Sequence, residues 1–193
     1  QIISSFWSDS IAITGNDFGG TNNPGAISSQ GPVRCIYTLS DSCVLVKNNK
    51  FRGISSIQKS VSVFDAGTGT LTSLPEQVTA DSNQLHHLYA GTFLTGIDVH
   101  VNSSRKNRIT NNVMYALEVK GLPNGAGQTG YISAIRGELY NHLISNSVNG
   151  DLEISGNRLH SFKPIYTPNS SAMSLSGIDA AAYLVNIRNN DIR

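Results

Sequence analysis

The side chains able to do chemistry fall in short alternating stretches. In Ile97-Asp98-Val99-His100-Val101 the apolar residues share one side and Asp98 and His100 the other. Leu117-Glu118-Val119-Lys120 presents Glu118 and Lys120 in the same way, Ile135-Arg136-Gly137-Glu138-Leu139 presents Arg136 and Glu138, and Glu153 stands between Leu152 and Ile154. Two carboxyl groups on neighbouring strands are the equipment of glycoside hydrolysis. One is the acid and the other the base or nucleophile, at about 5–5.5 Å for retention or 6.5–9.5 Å for inversion. Glu118, Asp98 and Glu138 are the catalytic candidates on that chemistry. Elimination from a polyuronate would instead use Arg136, His100, Lys120 or Tyr140 as base. His100, Arg136, Tyr140 and Glu153 are the candidates for holding substrate, and Tyr89, Tyr131 and Tyr166 offer further ring faces for sugars. The competing reading is solvated surface, where such charges contribute little individually.

Other motifs carry less. His86-His87 could form a metal pair, but no acidic or cysteine partner stands at ligand spacing, so no metal is expected. No cofactor is implied either. Gly125-Ala126-Gly127-Gln128-Thr129-Gly130 fits a phosphate-loop pattern, yet Tyr131 to Ile135 alternates instead of opening a helix, so the match is a loop. Cys35 and Cys43, eight apart, fit neither a zinc nor a redox spacing and read as free thiols.

Composition limits the fold and the partners. Ser, Asn and Gly make up about a third of the 193 residues and only 14% are charged, which disfavours helices. A net charge of +1 gives no electrostatic case for nucleic acid or an anionic membrane, and no apolar run approaches the length of a membrane helix.

The elements that must position the candidates emerge from an internal repeat. Its unit is two apolar residues two apart, then two residues, Asn, any residue, and an apolar residue. It reads Ile11-Ala-Ile13-Thr-Gly-Asn16-Asp-Phe18, Val44-Leu-Val46-Lys-Asn-Asn49-Lys-Phe51, Leu152-Glu-Ile154-Ser-Gly-Asn157-Arg-Leu159 and Val185-Asn-Ile187-Arg-Asn-Asn190-Asp-Ile192. Weaker copies centre on Asn83, Asn112 and Asn146, and the period is near 33. Asn157 and Asn146 lie too close for both to mark a coil unless one coil is lengthened, and the pattern leaves that open. Ile3, Ile36, Ile97, Ile135 and Ile178 form a second register, two of them in the near-identical segments Leu94-Thr-Gly-Ile97-Asp98 and Leu175-Ser-Gly-Ile178-Asp179. The spacing predicts short half-buried strands, a sharp turn before each Asn, and a ladder of buried Asn side chains at 16, 49, 83, 112, 146, 157 and 190. The Thr- and Gly-rich stretch from Asp65 to Asn83 reads as a projecting loop.

These units resemble the coil signature of right-handed parallel β-helices, the pectate-lyase-like superfamily, over essentially the whole chain. The resemblance implies an all-β, right-handed, single-stranded parallel β-helix of about six coils over residues 1–193, an excerpt of a longer chain. Its low charge and Ser/Asn/Gly richness are most similar to a bacteriophage tailspike or tail-fibre segment. That likeness implies a homotrimer in the virion tail whose outer face binds, and in some cases depolymerises, bacterial surface polysaccharide. A secreted polysaccharide lyase or glycoside hydrolase, or a non-enzymatic adhesin shaft, are the alternatives the same fold allows.

Overall fold

Strict alternation leaves one face of each strand apolar, and a strand of five residues cannot bury that face alone, so strands must stack. In the computed structural model they do. It describes residues 2–6, 8–19, 27–39, 42–67, 77–101, 105–120, 130–139, 151–165, 174–182 and 184–193. Among these residues there are strands and turns and no helix.

Three parallel sheets result. Sheet A stacks β1 (Ile3–Phe6), β5 (Val33–Leu39), β9 (Val61–Ala66), β12 (Phe93–Val101), β15 (Tyr131–Leu139) and β18 (Ser174–Ala181). Sheet B stacks β2 (Ser10–Thr14), β6 (Cys43–Lys47), β10 (Gln77–Asp81), β13 (Lys106–Thr110), β16 (Asp151–Ser155) and β19 (Leu184–Arg188). Sheet C stacks β3 (Asp17–Gly19), β7 (Lys50–Arg52), β11 (Gln84–Ala90), β14 (Val113–Val119), β17 (Arg158–Pro164) and β20 (Asp191–Ile192), with β4 (Ile27–Ser29) and β8 (Ile54–Ser56) beside them. The chain visits A, then B, then C, and returns to A.

Each sheet aligns a column of apolar side chains, buried in the middle strands and opening to solvent at the last strands of sheets B and C. Sheet A supplies Ile3, Ile36, Phe64, Ile97, Ile135 and Ile178. Sheet B supplies Ile13, Val46, Ala80, Ile109, Ile154 and Ile187. Sheet C supplies Phe18, Phe51, Leu85, Met114, Leu159 and Ile192, with the first two rings stacked at 4.7 Å. The large exposed apolar side chains are Ile2 and Phe6 near the first strand, Ile57, and Leu175, Leu184, Ile187 and Ile192 in the last three. Among the described residues they do not form a stripe along one face. Cys35 lies in the core, where burial pushes its thiol up to about 12, and neither it nor Cys43 is bonded.

The turn between sheets B and C has a fixed geometry. Gly15, Asn48, Ser82, Asn111, Gly156 and Asn189 all have φ between 54° and 69°, the left-handed region that Gly enters freely and Asn more readily than most. The next residue is an asparagine pointing inward. Asn49 donates Nδ2 to Ile13 O at 2.7 Å and to Asn83 Oδ1 at 3.1 Å, and its backbone N–H reaches the same Oδ1 at 3.0 Å. The pattern continues from Asn83 to Asn112, Asn112 to Asn157 and Asn157 to Asn190, and begins with Asn16 donating to Asn49. Backbone groups freed at each buried turn are thereby paired.

Two expectations are narrowed. Asn146 lies outside the described residues, and the rung above Asn112 is Asn157, because β16 pairs with β13 in full register and sets the turn after Ser155. The loop expected from Asp65 to Asn83 is bounded more narrowly: Asp65 and Ala66 close β9, residues 77–81 form β10 with Val78 and Ala80 inward, and Asn83 is a ladder rung. The Thr- and Gly-rich middle of the stretch, 68–76, lies outside the described residues.

Candidate site on the outer face of sheet A

Inward Ile97, Val99 and Ile135 force Asp98, His100 and Arg136 to the outer side of sheet A. Register places Asp65, Asp98, Arg136 and Asp179 in one column and His100 beside Glu138 in the next. The sequence candidates Asp98, His100, Arg136 and Glu138 therefore meet. His100 Nε2 lies 2.7 Å from Asp98 Oδ1 and its Nδ1 lies 3.3 Å from Glu138 Oε2. Arg136 donates Nη2 to Glu138 Oε1 at 2.6 Å and Nε to the same oxygen at 3.1 Å. Burial pulls the Arg136 guanidinium down, but the Glu138 hydrogen bonds and the charges of Asp98 and Glu138 outweigh it and hold it above its ordinary value.

These groups face outward and are nonetheless shielded. Asp98 is 8% exposed and His100 is 4% exposed, so neither is the solvated surface that alternation alone suggests. One imidazole stands between two carboxylates on adjacent strands, a diagonal relation of about 7–8 Å between side-chain origins. A neutral ring carries one N–H and can serve one carboxylate; an imidazolium serves both. The cluster can thus hold or pass a proton.

Arg136 also opens onto a groove of 250 Å³ between β15 and β18, lined by Tyr131, Ser133, Arg136, Ser174, Ser176 and Asp179. Tyr131 packs on Phe93 with ring centroids 4.9 Å apart. The groove is smaller than the about 300–1,000 Å³ of sites that enclose a free small molecule. It suits a segment of a longer ligand. The buried Oγ atoms of Ser133 and of Ser62, two strands away in the same column, have no hydrogen-bond partner among the described residues. Both are closed off from solvent, so the groups the groove presents to a ligand are Tyr131, Arg136, Ser174, Ser176 and Asp179.

A larger cavity of 790 Å³ touches Arg158, His160, Ser161, Asp191 and Arg193. It is walled on one side only, since β20 pairs with β17 and with no other described strand. It lacks the carboxylates of the sheet A cluster, and we set it aside.

The remaining candidates are elsewhere. Glu118 is on sheet C, aligned with Tyr89 and Lys163, whose Nζ is 4.0 Å away. Burial, and then the Glu118 charge, raise the Tyr89 hydroxyl above its usual range. Glu153 is on sheet B and fully engaged: Lys106 Nζ at 2.8 Å, Arg188 Nη2 at 2.7 Å, Ser155 Oγ at 3.1 Å and Arg108 Nε at 3.7 Å. The Lys106 and Arg188 contacts hold its carboxyl down to about 2, against an opposing but smaller effect of burial. It is a clamp across three strands. Lys120 is exposed beyond β14. Tyr140, Tyr166 and the loop residues Gly125 and Gly127 lie outside the described residues.

His86 and His87 approach each other with Nδ1 atoms 2.8 Å apart, and His86 stacks on Tyr115, which stacks on His160. Burial, then the neighbouring His87 and Arg52 charges, lower His86 below its ordinary value. Among the described residues no group of three or more His, Cys, Asp and Glu is placed to hold a metal ion.

The site residues that sequence reasoning missed are Asp65, Asp179, Ser133 and Ser176. A signal for Asp179 existed, because Leu175-Ser-Gly-Ile178-Asp179 copies Leu94-Thr-Gly-Ile97-Asp98 and the register superposes both on Arg136. Asp65 was hidden because Phe64 takes the place of isoleucine in that column. Comparison with protein-family models, with curated proteins and with solved structures found no match.

Proposed function

We propose that the chain is a right-handed parallel β-helix of six coils, each adding one strand to sheets A, B and C, and that the outer face of sheet A binds bacterial surface polysaccharide. The observation carrying this reading is the groove beside Arg136, which a tyrosine ring, three serines and a carboxylate line. Sugars present hydroxyls to such groups and an apolar face to an aromatic ring. A stacked sheet also repeats its outer face about every 4.8 Å, which suits a ligand that is itself a repeating polymer. The coil likeness to phage tailspikes supplies the context: a homotrimeric tail protein on the virion.

A second reading adds turnover. Asp98 and Glu138 flank His100, and Arg136, which contacts Glu138, lines the groove, so a glycan reaching past Arg136 would meet groups able to deliver and accept a proton. An array of bacterial surface polysaccharides, followed by reducing-end and unsaturated-uronate assays, tests both. Binding with shortened products supports a depolymerase, and binding without products leaves a receptor-binding face. Absence of binding to every glycan overturns the proposal in favour of a structural shaft.

A further inference from the structure

Charge is sorted among the three outer faces. The described strands of sheet A carry four carboxylates (Asp65, Asp98, Glu138 and Asp179) against two guanidinium groups, Arg34 and Arg136. Sheet B carries Lys47, Lys106, Arg108 and Arg188 against Asp81, Asp151 and Glu153, and sheet C carries Lys50, Arg52, Arg158 and Lys163 against Asp17, Glu118 and Asp191. With histidines neutral, sheet A is the acidic face of a chain whose net charge is +1.

The two cations of that face are engaged. Arg34 Nε lies 3.5 Å from Asp65 Oδ2, and Arg136 turns along its own strand so that Nε and Nη2 both reach Glu138 Oε1. It does not turn across to Asp179, its partner in register, which lines the groove, is exposed, and has no ion pair among the described residues. A ligand carboxylate in the groove would meet the Asp179 charge and find the Nε–Nη2 edge of Arg136 already held by Glu138. A ligand ammonium would meet an available carboxylate.

We infer that the groove selects glycans carrying free amino sugars and rejects polyuronates. This inference rests on the polysaccharide reading and narrows its substrate class. On the same argument, cleavage at this face proceeds by hydrolysis, because elimination requires a uronate beside the base.

The test uses the whole 193-residue chain and three oligosaccharide series of equal length: glucosamine, N-acetylglucosamine and galacturonate, titrated calorimetrically. The glucosamine series should bind about fivefold tighter than the acetylated series, the contribution of one partly exposed ion pair, and the galacturonate series weakest. Asp179→Asn should abolish the glucosamine advantage over the acetylated series, and Asp179→Lys should shift preference toward galacturonate. Galacturonate binding as tightly as glucosamine, or an Asp179→Asn variant with the wild-type ranking, overturns the inference. So does failure of all three series, while the polysaccharide array decides the glycan reading independently.

Discussion

Asn112 donates its side-chain amide to Oδ1 of Asn157 at 3.0 Å although 45 residues separate them. Every other rung of the ladder joins residues 29 to 34 apart. The additional chain is therefore accommodated away from the ladder, and the turn after β16 keeps the dihedral, the hydrogen bonds and the inward side chain of the turns before it. Insertions between stacked strands cost loop entropy that grows only slowly with length. A mis-set rung would instead strand several buried donors and acceptors at once.

That asymmetry predicts the cost of removing a rung. Asn83 accepts from the N–H and Nδ2 of Asn49 and donates to Val46 O and Asn112 Oδ1. Asn83→Ala orphans the buried Asn49 N–H and Val46 carbonyl, and we expect a loss of about 3 kcal/mol in denaturant unfolding. Asn16→Ala, at the exposed end of the ladder, should cost about 1 kcal/mol or less. Equal losses at the two positions would show that the ladder does not act through burial.

At Gly96 the neighbouring strands leave no room for a side chain. A Cβ there would lie 2.5 Å from Ala134 O and 2.9 Å from Met114 Sδ, and the carbonyl belongs to the neighbouring strand and cannot swing aside. Gly96→Ala should destabilise by about 1–3 kcal/mol through overpacking. Gly31→Ala, whose new Cβ would meet only Ser29 Oγ at 3.7 Å, should be near neutral. Thermal melts of the two variants compare them directly.

The two glycines also illustrate what can be read before folding. Alternation around Ile11, Val44, Leu152 and Val185 is local, so strands, turns and inward Asn residues follow from spacing alone. Gly96 is conspicuous because Gly177 repeats it, yet its reason lies in Ala134, a contact between neighbouring strands that no local pattern encodes. The site divides in the same way. That Asp98, His100, Arg136 and Glu138 point outward is a matter of alternation, whereas their meeting is a matter of register across β12 and β15. Glu118 and Glu153 alternate as cleanly and lie on other sheets, because period two assigns a side and never a sheet.

Glu153 should make sheet B sensitive to acid. Lys106 and Arg188 hold its folded carboxyl at about 2, below its ordinary value of 4.5. A depressed folded value means that its stabilising contribution is complete above about 4.5 and is lost as pH falls through about 2. Glu153→Gln should be less stable than the wild type at neutral pH, and the gap should close between those limits. Its cations are half-exposed, so added salt should narrow the gap at pH 7. A gap independent of both pH and salt would assign the effect to packing instead.

Asp98→Asn and Glu138→Gln separate binding from chemistry on sheet A. Each keeps the size and shape of the side chain and removes one carboxylate beside His100. If the pair moves a proton to or from a glycosidic bond, each variant should lower kcat on a cleaved glycan by about 10²–10⁴-fold and leave KM nearly unchanged. If the face only holds its ligand, no product forms in any variant, and both substitutions should weaken binding by about tenfold or less, the scale of one hydrogen bond. Lys50→Ala, exposed on sheet C, should alter neither quantity. Melting curves of the variants check that the buried Asp98 site still folds. Full turnover in both carboxylate variants would remove the pair from the chemistry while leaving the groove beside Arg136 as a binding face.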